Sequence, residues 1–218
     1  MMNKMFRTLA AFSLAGVSFA AAPASAANYL LDFDKAADGT QIASGARLTD
    51  QYASLGVSFA LFENGNPVGM GALARSGFGR PTNAVWNLVG DVYEFSSDNR
   101  ADILRISFAN VVKDVSFLTR GDGDTTIFDA YDSAGNLLES LRNVTGTTAA
   151  LAFTATGIRR IDARQNADDF TYSIDDLKFS DAGAVPEPAS WAMMIGGVGA
   201  VGSAMRRRRR VASAVRYA

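Results

Sequence analysis

Between residues 27 and 180 the apolar residues come in short runs, and turn-forming residues interrupt them every eight to fifteen positions. Within the runs the period is two, the signature of strands whose successive side chains point to opposite sides of a sheet. "NYLLDFD" places Tyr29, Leu31 and Phe33 on one face, and "LGVSFALF" places Val57, Phe59 and Leu61 together. "DILRISFA" sets Leu104, Ile106 and Phe108 against Ile103, Arg105 and Ser107. "SAGN", Ser133 to Asn136, reads as a hairpin turn between Tyr131 and Leu137. No stretch shows a capped 3.6-residue period. The pattern predicts an all-β body, an antiparallel β-sandwich of the jelly-roll kind. The glycine-rich segment from Asn64 to Thr82 is expected to be a large surface loop.

Composition narrows the chemistry. The chain has no Cys and no His, which removes disulfides, thiol and imidazole catalysis and the usual zinc sites. Residues 27–180 hold 13 Lys and Arg against 20 Asp and Glu, leaving a net charge of −7. Such a body repels nucleic-acid phosphates, so no nucleic-acid partner is expected. An enzyme would need a carboxylate pair, and the many acidic residues single out none. The expectation is therefore a non-enzyme.

The two ends have a different character. "MMNKMFRTLAAFSLAGVSFAAAPASA" has a basic start at Lys4 and Arg7, an apolar middle, and an Ala24-Ser25-Ala26 ending of A-x-A type. It reads as a signal peptide over residues 1–26, cleaved between Ala26 and Ala27. At the other end no charge occurs over the 18 residues from Pro188 to Met205, and Arg206, Arg207, Arg208, Arg209 and Arg210 follow. That length is at the lower limit for a membrane span. Trp191 at one end and the arginines at the other predict a single transmembrane helix over about residues 189–205, with the arginines held in the cytoplasm. The domain plan is thus 1–26, 27–182 and 183–218.

"PEPASWAMMIGGVGAVGSAMRRRRR" resembles the PEP-CTERM sorting signal in its Trp-Ala variant, with Pro186, Glu187, Pro188, Trp191 and the arginines in the expected order. The resemblance implies an exported protein of a Gram-negative bacterium. It would be anchored transiently in the inner membrane, cleaved near Pro-Glu-Pro by an exosortase, and delivered to the cell surface, outer envelope or extracellular matrix. Proteins of this kind accompany exopolysaccharide. The "VASAVRYA" extension after the arginines departs from the usual shorter tail.

The layout of the body is similar to jelly-roll carbohydrate-binding modules of the galactose-binding-like type, on "LLDFD", "YDSAGNLL" and "YSIDDLKF". That similarity implies polysaccharide as a partner and a structural calcium ion (Ca2+) near the first and last strands, with Asp175 and Asp32 or Asp34 as ligands. In an unbroken strand Ser173, Asp175, Leu177 and Phe179 share a face. A carboxylate there needs a cation or several hydrogen bonds. The alternative is that Asp175 caps a turn through a backbone N–H. "RGDGDTTIFDAYD" lacks the Glu of a calcium loop, having Ser133 at the twelfth position, and reads as a turn. Trp86, Tyr93, Phe95, Tyr131 and Tyr172 are candidate sugar platforms, with Trp86 and Tyr93 placed first. The alternatives to glycan binding are a self-associating matrix component and, behind it, a carboxylate-dependent glycosidase.

Overall fold

The computed structural model describes residues 27–68, 71–77, 80–90, 100–121, 123–144, 146–165, 171–182, 194–203 and 205–206. The body is built of antiparallel strands: β1 (Asn28–Leu31), β2 (Ala46–Leu48), β3 (Val57–Glu63), β4 (Asn66–Val68), β5 (Ala72–Gly77) and β6 (Arg80–Trp86). They are followed by β7 (Ile103–Gly121), β8 (Thr126–Tyr131), β9 (Leu137–Asn143), β10 (Thr148–Ala152), β11 (Ile158–Gln165) and β12 (Tyr172–Asp181).

Strand β7 organises all of them. Its 19 residues far exceed the usual strand length, and its two halves belong to different layers. The first half, Ile103 to Phe108, pairs with β3 and β11. The second half pairs with β12 and β10. One layer therefore runs β4-β3-β7-β11-β8-β9. The other runs β2-β5-β6-β12-β7-β10, with β1 beside the later part of β12. At the crossover the ladder with β11 slips. Arg160 faces Ser107 and Ile158 faces Val112, so four β7 residues oppose Arg159 alone. A bulge of this kind bends a strand sharply.

The two layers bury the alternating residues against each other. Phe117 of β7 lies 4.8 Å, centroid to centroid, from Phe128 of β8, and Phe108 of β7 lies 5.1 Å from Phe179 of β12. Leu31, Phe33, Val57, Phe59, Leu61, Leu104, Ile106 and Phe108 are all buried, as their alternation requires. One polar group crosses this core. The fully buried Tyr172 donates its hydroxyl to the Ala163 carbonyl at 2.5 Å and accepts the Leu104 N–H at 3.0 Å. Leu104 and Ala163 are register partners on β7 and β11, so a hydroxyl from one layer is interposed in the ladder of the other. Burial pushes the phenol well above its usual range, so it remains a donor.

Two expectations about the strands need correction. The segment from Asn64 to Thr82 is not one surface loop: it contains β4, β5 and the start of β6. Two of its glycines, Gly65 and Gly71, take positive φ at the ends of these strands. Asn64 and Gly65 both have positive φ, the hairpin geometry that joins β3 to β4. Gly71 also has positive φ, and a Cβ there would come within 2.2 Å of the Leu48 carbonyl oxygen. The second correction concerns β12, which is not an unbroken strand. Asp176 has φ +50 and the register slips between Asp175 and Lys178. The inserted residue shifts the alternation, so Tyr172 and Ile174 point inward before it and Leu177 and Phe179 after it.

The ends of the body are adjacent. Asn28 faces Ser180, the Asp181 N–H donates to the Ala27 carbonyl at 3.1 Å, and the Ala182 N–H donates to the Val111 carbonyl at 3.2 Å. Ala27 and Ala182 therefore lie at one corner of the body.

Replacing Tyr172 by Phe keeps the ring and leaves the Leu104 N–H and the Ala163 carbonyl without the hydroxyl between them. The expected loss is about 1–3 kcal/mol, read as a lower urea midpoint at unchanged m-value. An unshifted midpoint would show that the two backbone groups pair directly.

Candidate functional site

The outward-facing residues of the β3–β7–β11–β8 layer are chemically richer than its core. The register aligns Ser58, Ser107, Arg160 and Tyr131 in one row across four strands. The next row holds Ala60, Arg105, Asp162 and Asp129. Arg105 grips Asp162 with two bonds, Nε to Oδ1 at 2.7 Å and Nη2 to Oδ2 at 2.9 Å. Those bonds hold the guanidinium above its already high range. Arg160 approaches the other side of the same carboxylate at 3.4 Å. Asp129 takes Arg164 at 3.1 Å and the Ser140 hydroxyl at 2.6 Å. Both carboxylates are buried although they stand on the outer face, because the arginine stems lie over them. Aromatic rings lie beneath two of the guanidinium groups, Arg105 over Phe62 and Arg160 over Tyr131, each 4.3 Å from the ring centroid.

One end of this face opens into a groove of about 720 Å³. Its floor includes Ser58, Ser107, Arg105 and Arg160. One wall is the turn before β3, and the other is the β8–β9 hairpin from Asp132 to Gly135. The crossover of β7 creates the gap. Ala109 leaves the β11 ladder there, bonds its N–H to the Gly56 carbonyl at 2.6 Å, and offers its own carbonyl to Arg159. Gly56 has φ +71, and a Cβ on it would meet the Ala109 Cβ at 3.0 Å, so glycine permits this approach. Asp132 is occupied by the hairpin. It accepts the N–H groups of Ala134 and Asn136 and the Asn136 amide, at 2.8–2.9 Å. The Asn136 bonds above all hold its carboxyl below the usual carboxylate range.

The residues expected to bind ligand from the sequence lie elsewhere. Trp86 is buried, 1% exposed, in a small cluster with Leu73 and Leu88, and its Nε1 donates to the Arg75 carbonyl at 2.9 Å. It therefore presents no open face to a sugar, and its placement as a platform is corrected. Tyr172 is likewise core. Tyr131 is on the outer face, but Arg160 covers its ring. Tyr93 and Phe95 lie outside the described residues.

The expected calcium ligands act separately. Asp32 Oδ1 accepts the N–H groups of Asp34 and Lys35, at 3.1 and 3.2 Å. Asp34 Oδ1 accepts the Asn83 N–H at 2.8 Å, and the Asn83 amide bonds the Phe33 and Ile42 carbonyls. That buckle holds Phe33 at φ +58, a conformation that costs a bulky residue on the order of 1–3 kcal/mol. Asp175 Oδ1 accepts the Asp176 N–H at 2.8 Å in the β12 bulge. The bulge also removes Asp175 from the face of Leu177. Among the described residues no group of three acidic side chains is placed to hold a metal ion, and Asp32, Asp34 and Asp175 each accept a different backbone N–H.

At the C-terminal side, residues 194–203 and 205–206 are helical. Met194, Ile195, Val198, Val201 and Met205 are exposed on that helix. Among the described residues no helix is long and apolar enough to cross a membrane. Pro186, Glu187, Pro188, Trp191, Arg207 to Arg210, Ala24 and Ala26 lie outside the described residues.

Comparison with known proteins gives the tail its class: residues 184–210 match the PEP-CTERM protein-sorting motif. No curated protein matches the chain. Among solved structures, the chain is similar to a variant of the family 29 carbohydrate-binding module CBM29-2. The identity is 15%, over 72% of this chain and 93% of that one, with a TM-score of 0.38. It is also similar to the CBM36-1 domain of a multidomain xylanase from the hindgut metagenome of Trinervitermes trinervoides. Here the identity is 13%, over 59% of this chain and 99% of that one, with a TM-score of 0.33.

Substituting Asp162 by Asn removes the charge that Arg105 and Arg160 share and halves the acceptor capacity between them. The expected cost is about 1–3 kcal/mol, measured by urea unfolding. Stability equal to that of the parent would mean that the outer-face pairing contributes nothing.

Proposed function

We propose that the chain is an exported protein, held in the inner membrane by its tail until an exosortase cleaves near Pro186-Glu187-Pro188. Its β-sandwich then binds polysaccharide, without turnover, at the cell surface or in the extracellular matrix. The match of residues 184–210 to the sorting motif carries the reading. The exposed Met194, Ile195, Val198, Val201 and Met205 support a lipid surround for the tail. For the body, support comes from the groove, where serine hydroxyls and guanidinium donors stand on a sheet beside a hairpin tied by the Asp132 hydrogen bonds. A concave site of several hundred Å³ in which a few polar groups converge is the default place to look for a bound ligand.

The processing half is tested in a Gram-negative host that carries an exosortase. The parent is expected to be shortened and to leave the membrane fraction. The Glu187→Ala variant is expected to accumulate there at the length of the unprocessed form. If both variants leave the membrane at the same mass, the assignment fails. The binding half predicts retention of the protein by at least one polysaccharide in a broad panel of affinity gels, and migration unchanged in all of them would exclude it.

A further inference from the structure

We infer that the groove at the β7 crossover takes a glycan bearing carboxylate groups, of the uronic-acid kind. This rests on the polysaccharide-binding reading and specifies its ligand. The body carries a net −7 over residues 27–180, yet Arg105, Arg159 and Arg160 converge on this one groove. The acidic groups beside them are already engaged. Asp162 is held by Arg105 through both oxygens. Asp132, which lines the groove, is tied into the hairpin by three hydrogen bonds.

Three arginines against Asp132 and Asp162 leave the groove with a surplus of one positive charge. The Arg159 side chain is engaged with the Ala109 carbonyl, which leaves most of the five N–H donors of a guanidinium. Arg160 lies over Tyr131, and its buried Nε faces Asp162 Oδ2 at 3.4 Å, an ion pair without a hydrogen bond. An arginine held in this way keeps its planar fork presented, the geometry that suits a carboxylate bidentately. Ser58 and Ser107 face each other across β3 and β7 in the same groove. Each offers a hydroxyl that both donates and accepts, which suits sugar hydroxyls lying between the acidic groups. Neutral sugars would leave the surplus charge unanswered, and ring stacking is pre-empted by the arginines covering Phe62 and Tyr131.

The test uses the full chain in mild detergent, run in affinity gels containing polygalacturonate, the same polymer after carboxyl reduction, neutral mannan, or polyglutamate. Expected are retardation by polygalacturonate, loss of most of it on carboxyl reduction, and weakening with added salt. The double variant Arg159→Gln, Arg160→Gln should lower the affinity on the order of tenfold or more, the effect of one lost charge-assisted bond. Arg159→Gln alone, at a half-buried position, gives a partial loss should the double variant not fold. Mannan and polygalacturonate retained equally, or retention unchanged by the variants, would overturn the inference and leave glycan binding intact. Polyglutamate retained as strongly as polygalacturonate would reduce the groove to an ion exchanger and also overturn it. No retention by any polysaccharide would overturn both readings.

Discussion

A strand that belongs to two layers has to bend, and in this chain everything else is arranged around the place where β7 does so. Straight, the strand could keep one set of neighbours throughout. Bent at residues 108–111, it exchanges β3 and β11 for β12 and β10. The two layers are therefore joined by covalent chain as well as by packing. The bend also opens a gap in a ladder, and Gly56, Ala109 and Arg159 satisfy the backbone groups it exposes. The groove follows from the same event. It is the space left where a strand departs from its neighbour, lined by whatever side chains the outer face had at that point.

Polar groups in the interior obey the same logic of satisfaction. Tyr172 reaches from one layer into the ladder of the other, and its hydroxyl meets a donor and an acceptor that would otherwise need each other. On the outer face Asp162 and Asp129 are covered by the arginines that neutralise them. The layer thus has two stabilised faces: one apolar and packed, the other ionic and half-covered. Pairing of this sort contributes modestly to stability, but it fixes the orientation of guanidinium groups that would otherwise sample many rotamers.

Much of the fold was legible in the sequence because alternation is a local property. The inward positions of β1, β3 and the first half of β7 could be read two residues at a time, and the hairpin at Ser133–Asn136 announced itself through its turn residues. What local reading missed were insertions and neighbours. A single residue in the αL conformation at Asp176 reverses the facing of all that follows in β12, so Asp175 was assigned to the wrong side. Trp86 looked like a platform because it is the only Trp of the body, yet a large ring with one N–H is as well suited to a buried slot with a carbonyl at its end. In the segment Asn64–Thr82, Asn64-Gly65 marks a hairpin between strands rather than part of one long loop. The arginine groove had a faint signal, outward-facing basic residues in "DILRISF" and "GIRRIDA". Only the register shows that these strands are adjacent and that Tyr131 and Ser58 lie in the same row.

The corner where Ala27 meets Asp181 ties both ends of the body to the strand that shapes the groove. The Ala182 N–H bonds to Val111, two residues along β7 from Ala109 at the edge of the groove. A disturbance where the chain leaves the body would therefore reach the bend of β7 through backbone bonds alone, without crossing the core.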